Sequence, residues 1–214
     1  MYVLALDTAT AATSVALVRF DGGRPATLAA RQHVDPRAHG EQTAVQIRDV
    51  LAGAGLTPAE LAAIVAGIGP GPFTGLRVGL ATAVAMAQAL GIPTYGVGSL
   101  SGIGHATTGL AIVATDARRR EIYWALFQEG EPITEPAVDK PAAVAPVLAA
   151  RGVRQAYGEG AQLYRDLLGV PVADAPRYPD PAALAALAYD RIAAGKPAEP
   201  LVPQYLRRPD ATPR

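Results

Sequence analysis

Apolar and polar stretches alternate along the chain, and most of its elements are readable from that rhythm. Tyr2 to Leu6 is a short apolar run ending at Asp7. The small polar residues Thr8 to Thr13 suit a turn, Ser14 to Val18 is apolar again, and Asp21-Gly22-Gly23 ends it. This predicts a β-hairpin, with a third strand at Thr27 to His33. Gly40 to Ala54 has helical spacing, with Ala44, Ile47, Leu51 and Ala54 on the predicted inner face and Gly55 as the stop. Thr57-Pro58-Ala59-Glu60 reads as a capping box opening a short helix, followed by a strand at Ala63 to Ile68.

The next segment, GPGPFTGLRVG at 69–79, is a glycine-rich turn between a strand and a helix. With Thr74 as N-cap, Phe73 and Val78 would form a hydrophobic staple, and the helix would run to Leu90, ahead of Gly91-Ile92-Pro93. A strand is expected at Tyr95 to Val97, and the glycine-rich stretch Gly102 to Gly109 is the candidate boundary. The pattern then restarts: Ala111 to Ala114 ending at Asp116, a polar turn, a strand at Ile122 to Phe127, a helix at Pro141 to Ala150, and a strand at Gln155 to Tyr157. Gly158-Glu159-Gly160-Ala161 opens another helix, and Asp180 caps a last one at Pro181 to Ala194.

The halves align at one offset. Val3-Leu4-Ala5-Leu6-Asp7 matches Ile112-Val113-Ala114-Thr115-Asp116, and Ala16-Leu17 matches Ala125-Leu126. This suggests a duplicated α/β lobe, 1–104 and 105–214, with chance similarity of two hairpins as the alternative.

Composition narrows the chemistry. The chain has 214 residues, no cysteine, and 19 basic against 19 acidic side chains. Thiolate metal sites and a cysteine nucleophile are excluded. Charge balance argues against strong non-specific nucleic-acid binding. The start lacks the basic, long-apolar pattern of a leader, and no stretch reaches the ~20 apolar residues of a membrane span, so a cytoplasmic protein without membrane contact is expected.

The glycine-rich turn raises the question of phosphate. Pro70 and Pro72 have no N–H, and Leu76-Arg77 stands where a P-loop carries Lys-Ser/Thr, so a rigid turn aiming the helix competes with nucleotide binding through Gly71 and its neighbours. Gly75, Gly79 and Ala83 put small groups on one side of the helix, for packing on the chain's own sheet or on a partner. Asp7 with Thr8 and Thr10 either caps a turn or faces a hydrated metal and phosphate. Asp116 with Arg118 is read as its second-lobe counterpart. The spacing of His33, His39 and His105 supports no transition-metal site, and no nucleophile elbow is centred on a serine.

Several motifs resemble the TsaB (YeaZ) family of bacterial tRNA threonylcarbamoyladenosine synthesis: Asp7-Thr8-Ala9-Thr10, His39-Gly40-Glu41, the whole 69–79 turn, Asp116-Ala117-Arg118-Arg119-Arg120-Glu121-Ile122-Tyr123, and Pro203-Gln204-Tyr205-Leu206-Arg207. Arg120 stands where that family often has glycine, and Pro72 where it has serine. The resemblance implies two actin/Hsp70-like (ribonuclease H-like) lobes, each a mixed sheet with helices. It implies a non-catalytic subunit that forms a homodimer alone and a heterodimer with the catalytic paralogue TsaD through its first-lobe helices. The small ATPase TsaE joins that pair, and tRNA is met only indirectly. The subunit carries no cofactor, with ATP and a metal on the partners. Glu41, Ile47, Phe73, Thr74, Leu76, Arg77, Gly79 and Ala83 would then shape the gripped surface, and Gly79→Leu is expected to abolish docking without unfolding the chain. The rival is a small actin-fold ATPase or small-molecule kinase using Asp7 and the turn.

Overall fold

The computed structural model describes residues 1–207. The first hairpin forms as its alternation predicts. Strand β1 (Tyr2–Asp7) pairs antiparallel with β2 (Ala12–Asp21), which pairs antiparallel with β3 (Arg24–Val34). Helix α1 (His39–Gly53) and a 3-10 turn at Pro58–Glu60 lead to β4 (Leu61–Gly67), which lies parallel to β1. Glu60 closes the predicted capping box by accepting from the Thr57 amide at 2.8 Å. Helix α2 (Phe73–Leu90) carries the chain over to β5 (Thr94–Val97), parallel to β4. The sheet order is β3-β2-β1-β4-β5.

A short helix, α3 (Ser99–Gly104), occupies the start of the expected glycine-rich boundary. Its glycines serve close packing: a Cβ on Gly104 would lie 2.1 Å from the Phe127 ring. The second half repeats the plan in reduced form. Strands β6 (Leu110–Asp116) and β7 (Ile122–Gln128) make the hairpin, and β8 (Glu131–Pro132) and β9 (Ala137–Asp139) share the far edge of β7. Helix α4 (Pro141–Arg151) precedes β10 (Gln155–Tyr157), parallel to β6. Helices α5 (Glu159–Leu163) and α6 (Arg165–Leu168) stand where the first lobe has its long crossover, and the fifth strand shrinks to one bridge, Ala156 to Val172. Helix α7 (Pro181–Ala193) begins at Asp180, whose carboxylate accepts from the Ala182 amide, as expected of that cap. The result is a duplicated actin/Hsp70-like, ribonuclease H-like α/β fold.

The division at 104/105 does not divide the packing. The first sheet is covered on one face by α1 and α2 and on the other by α7, through Leu184, Ala185, Ala188 and Ile192. The second sheet is covered on one face by Val144 and Leu148 of α4 and on the other by Leu100 and Ile103 of α3. Each half therefore lends its last helix to the other half's sheet, and α3 and α7 touch. Each sheet has two apolar faces, and the local helices cover only one of them.

The internal alignment needs a one-residue correction. Leu4 pairs with Leu17, and Ile112 with Leu126. Leu4, Leu6 and Leu17 face α1 and α2, as Ile112, Ala114 and Leu126 face α4 and α5. The counterpart of Asp7 is thus Thr115 and that of Thr8 is Asp116, because the second hairpin's turn is one residue longer. A single-residue slip moves a side chain to the opposite face.

Candidate functional site

The turn between β4 and α2 is packed against the turn after β1, which decides what it can hold. A Cβ on Gly71 would lie 2.2 Å from the Ala9 carbonyl oxygen, and one on Gly75 would lie 3.0 Å from that of Thr8. Those glycines let two backbones touch. The Gly69 amide donates to Ser99 Oγ at 3.0 Å, Pro70 and Pro72 have no donor, and Gly71 is buried against protein. That packing encloses Gly71 and sets the direction of α2, while Phe73 and Thr74 at the start of the helix stay exposed.

Thr8 bolts α2 in place. Its hydroxyl donates to the Gly75 carbonyl at 2.8 Å and accepts from the Gly79 amide at 3.1 Å. Asp7 is 1% exposed; its carboxylate accepts from the Ala9 amide at 2.8 Å and from the Ser99 hydroxyl. Burial raises its pKa to about 6, with both hydrogen bonds opposing. Asp7 caps the turn after β1, with its carboxylate buried. Thr10, also buried, accepts from the Ala12 amide at 3.2 Å.

Thr10, Pro72 and Arg118 do converge between the lobes, around cavities of about 220 and 70 Å³. A third, of about 160 Å³, lies beneath Tyr205 and Arg207. Small-molecule sites generally occupy roughly 300–1,000 Å³, so each is small for a nucleoside triphosphate. Two carboxylates, Asp116 and Glu159, also face this cleft. Glu159 accepts from the Ala11 amide across the lobes at 3.5 Å, and its pKa is raised to about 7, first by burial. Two larger cavities of about 510 Å³ also lie between the halves, one lined by Gly69, Leu100 and Phe127, the other by Arg31 and Tyr178. Among the described residues no three His, Cys, Asp or Glu side chains group as metal ligands.

Arg118, Arg119 and Arg120 form the tip of the β6–β7 turn, all with left-handed backbone at φ 62°, 53° and 61°. Asp116 caps this turn by accepting from the Arg118 amide at 3.1 Å. The left-handed geometry at Arg120 explains the preference for glycine at that motif position.

The first-lobe helices divide the expected surface residues into two sets. Ile47, Leu76, Gly79 and Ala83 lie in the core, at 8% exposure or less for the three side chains. A Cβ on Gly79 would sit 2.5 Å from Thr8 Oγ1, so this glycine serves the chain's own packing, and Gly79→Leu is expected to damage the fold. Glu41, Phe73, Thr74 and Arg77 are exposed. Helix α2 starts two residues earlier than predicted, with Pro72 as N-cap and no side-chain cap. Phe73 therefore makes no staple with Val78; its ring lies under the Arg77 guanidinium at 3.8 Å. The buried face of α1 is also turned: Thr43, Gln46, Ile47, Val50 and Leu51 point inward, and Ala44 outward. Thr43 is accommodated there by donating to the His39 carbonyl at 2.6 Å.

By length and composition alone α2, at 18 residues, is apolar enough to cross a membrane. It joins β4 to its parallel neighbour β5 and seats Leu76, Leu80, Ala83 and Ala87 on their sheet, which makes it a crossover helix. Its outer side carries Val78, Ala81, Val84, Ala85 and Ala89, half or fully exposed, and Arg77 is the one charge in its sequence.

The tail contributes what the sequence pattern did not. Residues 201–207 run across the lobes. The Gln204 amide donates to the Ile68 carbonyl at 2.8 Å, and Arg207 donates to the Ala117 carbonyl at 2.8 Å and pairs with Glu121. Tyr205 stacks on Phe73 at 5.2 Å and accepts from Arg77 Nε at 2.9 Å. A lone aromatic in a proline-rich tail was the available signal.

A duplicated actin-like fold with a tightly packed cleft and an exposed apolar helix face defines the class. Residues 27–178 match the TsaD family, described as tRNA N6-adenosine threonylcarbamoyltransferase. YeaZ from Pseudomonas aeruginosa superposes with a TM-score of 0.79 at 30% identity, covering 96% of this chain and 99% of that one. TsaB of Escherichia coli, a tRNA threonylcarbamoyladenosine biosynthesis protein, is 38% identical over 138 residues, covering 61% of this chain and 57% of that protein. An uncharacterised Mycobacterium leprae protein is 48% identical over 211 residues, and the match spans 99% of this chain but 56% of that relative. The chain belongs to the TsaB/YeaZ family.

Proposed function

We propose that this chain is a non-catalytic scaffold subunit in threonylcarbamoylation of the adenosine beside the tRNA anticodon. It pairs with a TsaD-type catalytic paralogue, and a TsaE-type ATPase joins the pair. The observation that carries this reading is the outer face of α2. That face is apolar over most of its 18-residue length, yet it is left uncovered by the chain's own elements. Contiguous exposed apolar surface marks association sites. The neighbouring α1 offers Glu41, Ala44 and Val45 on the same side of the lobe. A self-paired dimer through this face is the state expected of the isolated chain.

In this reading ATP and the metal belong to the partners. The three cavities around Pro72 and Arg118, of about 220, 160 and 70 Å³, are small for a nucleoside triphosphate, which supports that division at this cleft. Co-expression of this chain with the TsaD-family protein of its own organism tests the proposal. A stoichiometric complex on gel filtration is expected, and separate elution of the two proteins refutes it. Calorimetry of the isolated chain with Mg-ATP separates the rival: micromolar binding would favour an ATPase or small-molecule kinase.

A further inference from the structure

We infer that the C-terminal strap, residues 201–207, is itself part of the docking face and orients Arg77 to receive a carboxylate from the partner. This rests on the docking reading above and names the chemistry of one contact within it. The Arg77 guanidinium is held from two sides. Its plane lies 3.8 Å over the Phe73 ring, and its Nε donates to the Tyr205 hydroxyl at 2.9 Å. Phe73 and Tyr205, 39% and 38% exposed, stack on each other at 5.2 Å. The two terminal nitrogens of Arg77 have no hydrogen bond or ion pair among the described residues.

An arginine fixed at Nε and at its face presents its two terminal N–H groups as a fork, and the fork matches a carboxylate. Arg77 is also the single charge on a largely apolar helix, so a partner that covers α2 must neutralise it. The occupant is therefore an Asp or Glu of the TsaD-type paralogue, set within an apolar surface. The far end of the strap is tied to the second lobe by Arg207, through Ala117 and Glu121. Docking strength thus depends on a residue 128 positions away in sequence from the helix it serves.

The test is calorimetric titration of the full chain with the TsaD-family protein of the same organism, at low and high salt. Arg77→Gln is expected to weaken binding by about tenfold or more, and Tyr205→Ala by about tenfold. Tyr205→Phe, which keeps the ring and removes the hydroxyl, should cost about threefold. Tyr205→Ala should add little on top of Arg77→Gln, since the two act through one contact. The loss at Arg77 should shrink as salt rises. If wild type fails to bind, the docking reading falls and this inference with it. If wild type binds and Arg77→Gln or Tyr205→Phe matches it, or if the Arg77 effect ignores salt, this inference alone is overturned. Unchanged melting temperatures of the variants separate lost contact from lost fold, and Tyr205→Phe decides if Tyr205→Ala melts early.

Discussion

The turn at Gly69 to Gly75 in the first lobe and the turn at Gly158 to Gly160 in the second perform one geometric task with different helices behind them. Both press backbone onto the end of a central strand. A Cβ would come within 2.2 Å of the Ala9 carbonyl oxygen at Gly71, and within 2.2 Å of the Ala114 carbonyl oxygen at Gly158. Behind the first turn stands an 18-residue helix bolted by Thr8; behind the second stand five residues of α5 and four of α6. The first lobe encloses its acid, Asp7, whereas the second leaves Asp116 and three arginines at the surface. Similar close approaches therefore sit beside opposite surfaces. The first lobe spends its polar groups inside and shows an apolar helix; the second shows charge.

That contrast can be broken where it is tightest. Gly79→Leu pushes a side chain into Thr8 and Leu6 and should destabilise the protein by about 3 kcal/mol or more, by urea denaturation, whereas Leu163→Ala on the exposed α5 should stay within about 0.5 kcal/mol. Equal effects would erase the distinction.

Next in size is the pH dependence. The folded pKa of Asp7, about 6, lies above its ordinary value of 3.8, so its protonated form favours folding. That contribution is fully present below pH 3.8 and is lost as pH rises through about 6. The shift corresponds to roughly 3 kcal/mol. Asp7→Asn should flatten the stability profile between pH 4 and 7. Glu159, raised to about 7, adds a second loss through that pH, which Glu159→Gln removes.

Thr8→Val removes both hydrogen bonds to the start of α2 and leaves the Gly79 amide without that acceptor, a loss of about 2 kcal/mol. The smallest effect is a gain. Arg120→Gly relieves a left-handed arginine and should raise stability by about 0.5–1 kcal/mol, visible as a small rise in melting temperature.

The strands were legible because their apolar alternation is local, and the Asp180 cap and the Thr57–Glu60 box because each acts within four residues. The inner face of α1 was misjudged because Thr43 and Gln46 are polar yet buried. The start of α2 was displaced because Thr74 is a good capping residue in a place where Pro72 already ends the turn. Four of the eight expected surface residues are buried, since small and apolar side chains at helical spacing look alike on the core side and on a docking side. Glu41, Phe73, Thr74 and Arg77 fell on the outer side, and Tyr205 joined them only through folding.

By itself the sequence determined the two-lobe plan, the order of elements, and the turn in which two prolines remove two backbone donors. All of these follow from local spacing and from which residues lack an N–H. The tertiary structure decided the exchange of α3 and α7 between sheets, the one-residue offset that pairs Asp7 with Thr115, the burial of Gly79, and the strap that reaches Arg77. Each depends on which surfaces meet across long separations, and that is set by the need to cover both faces of two sheets at once.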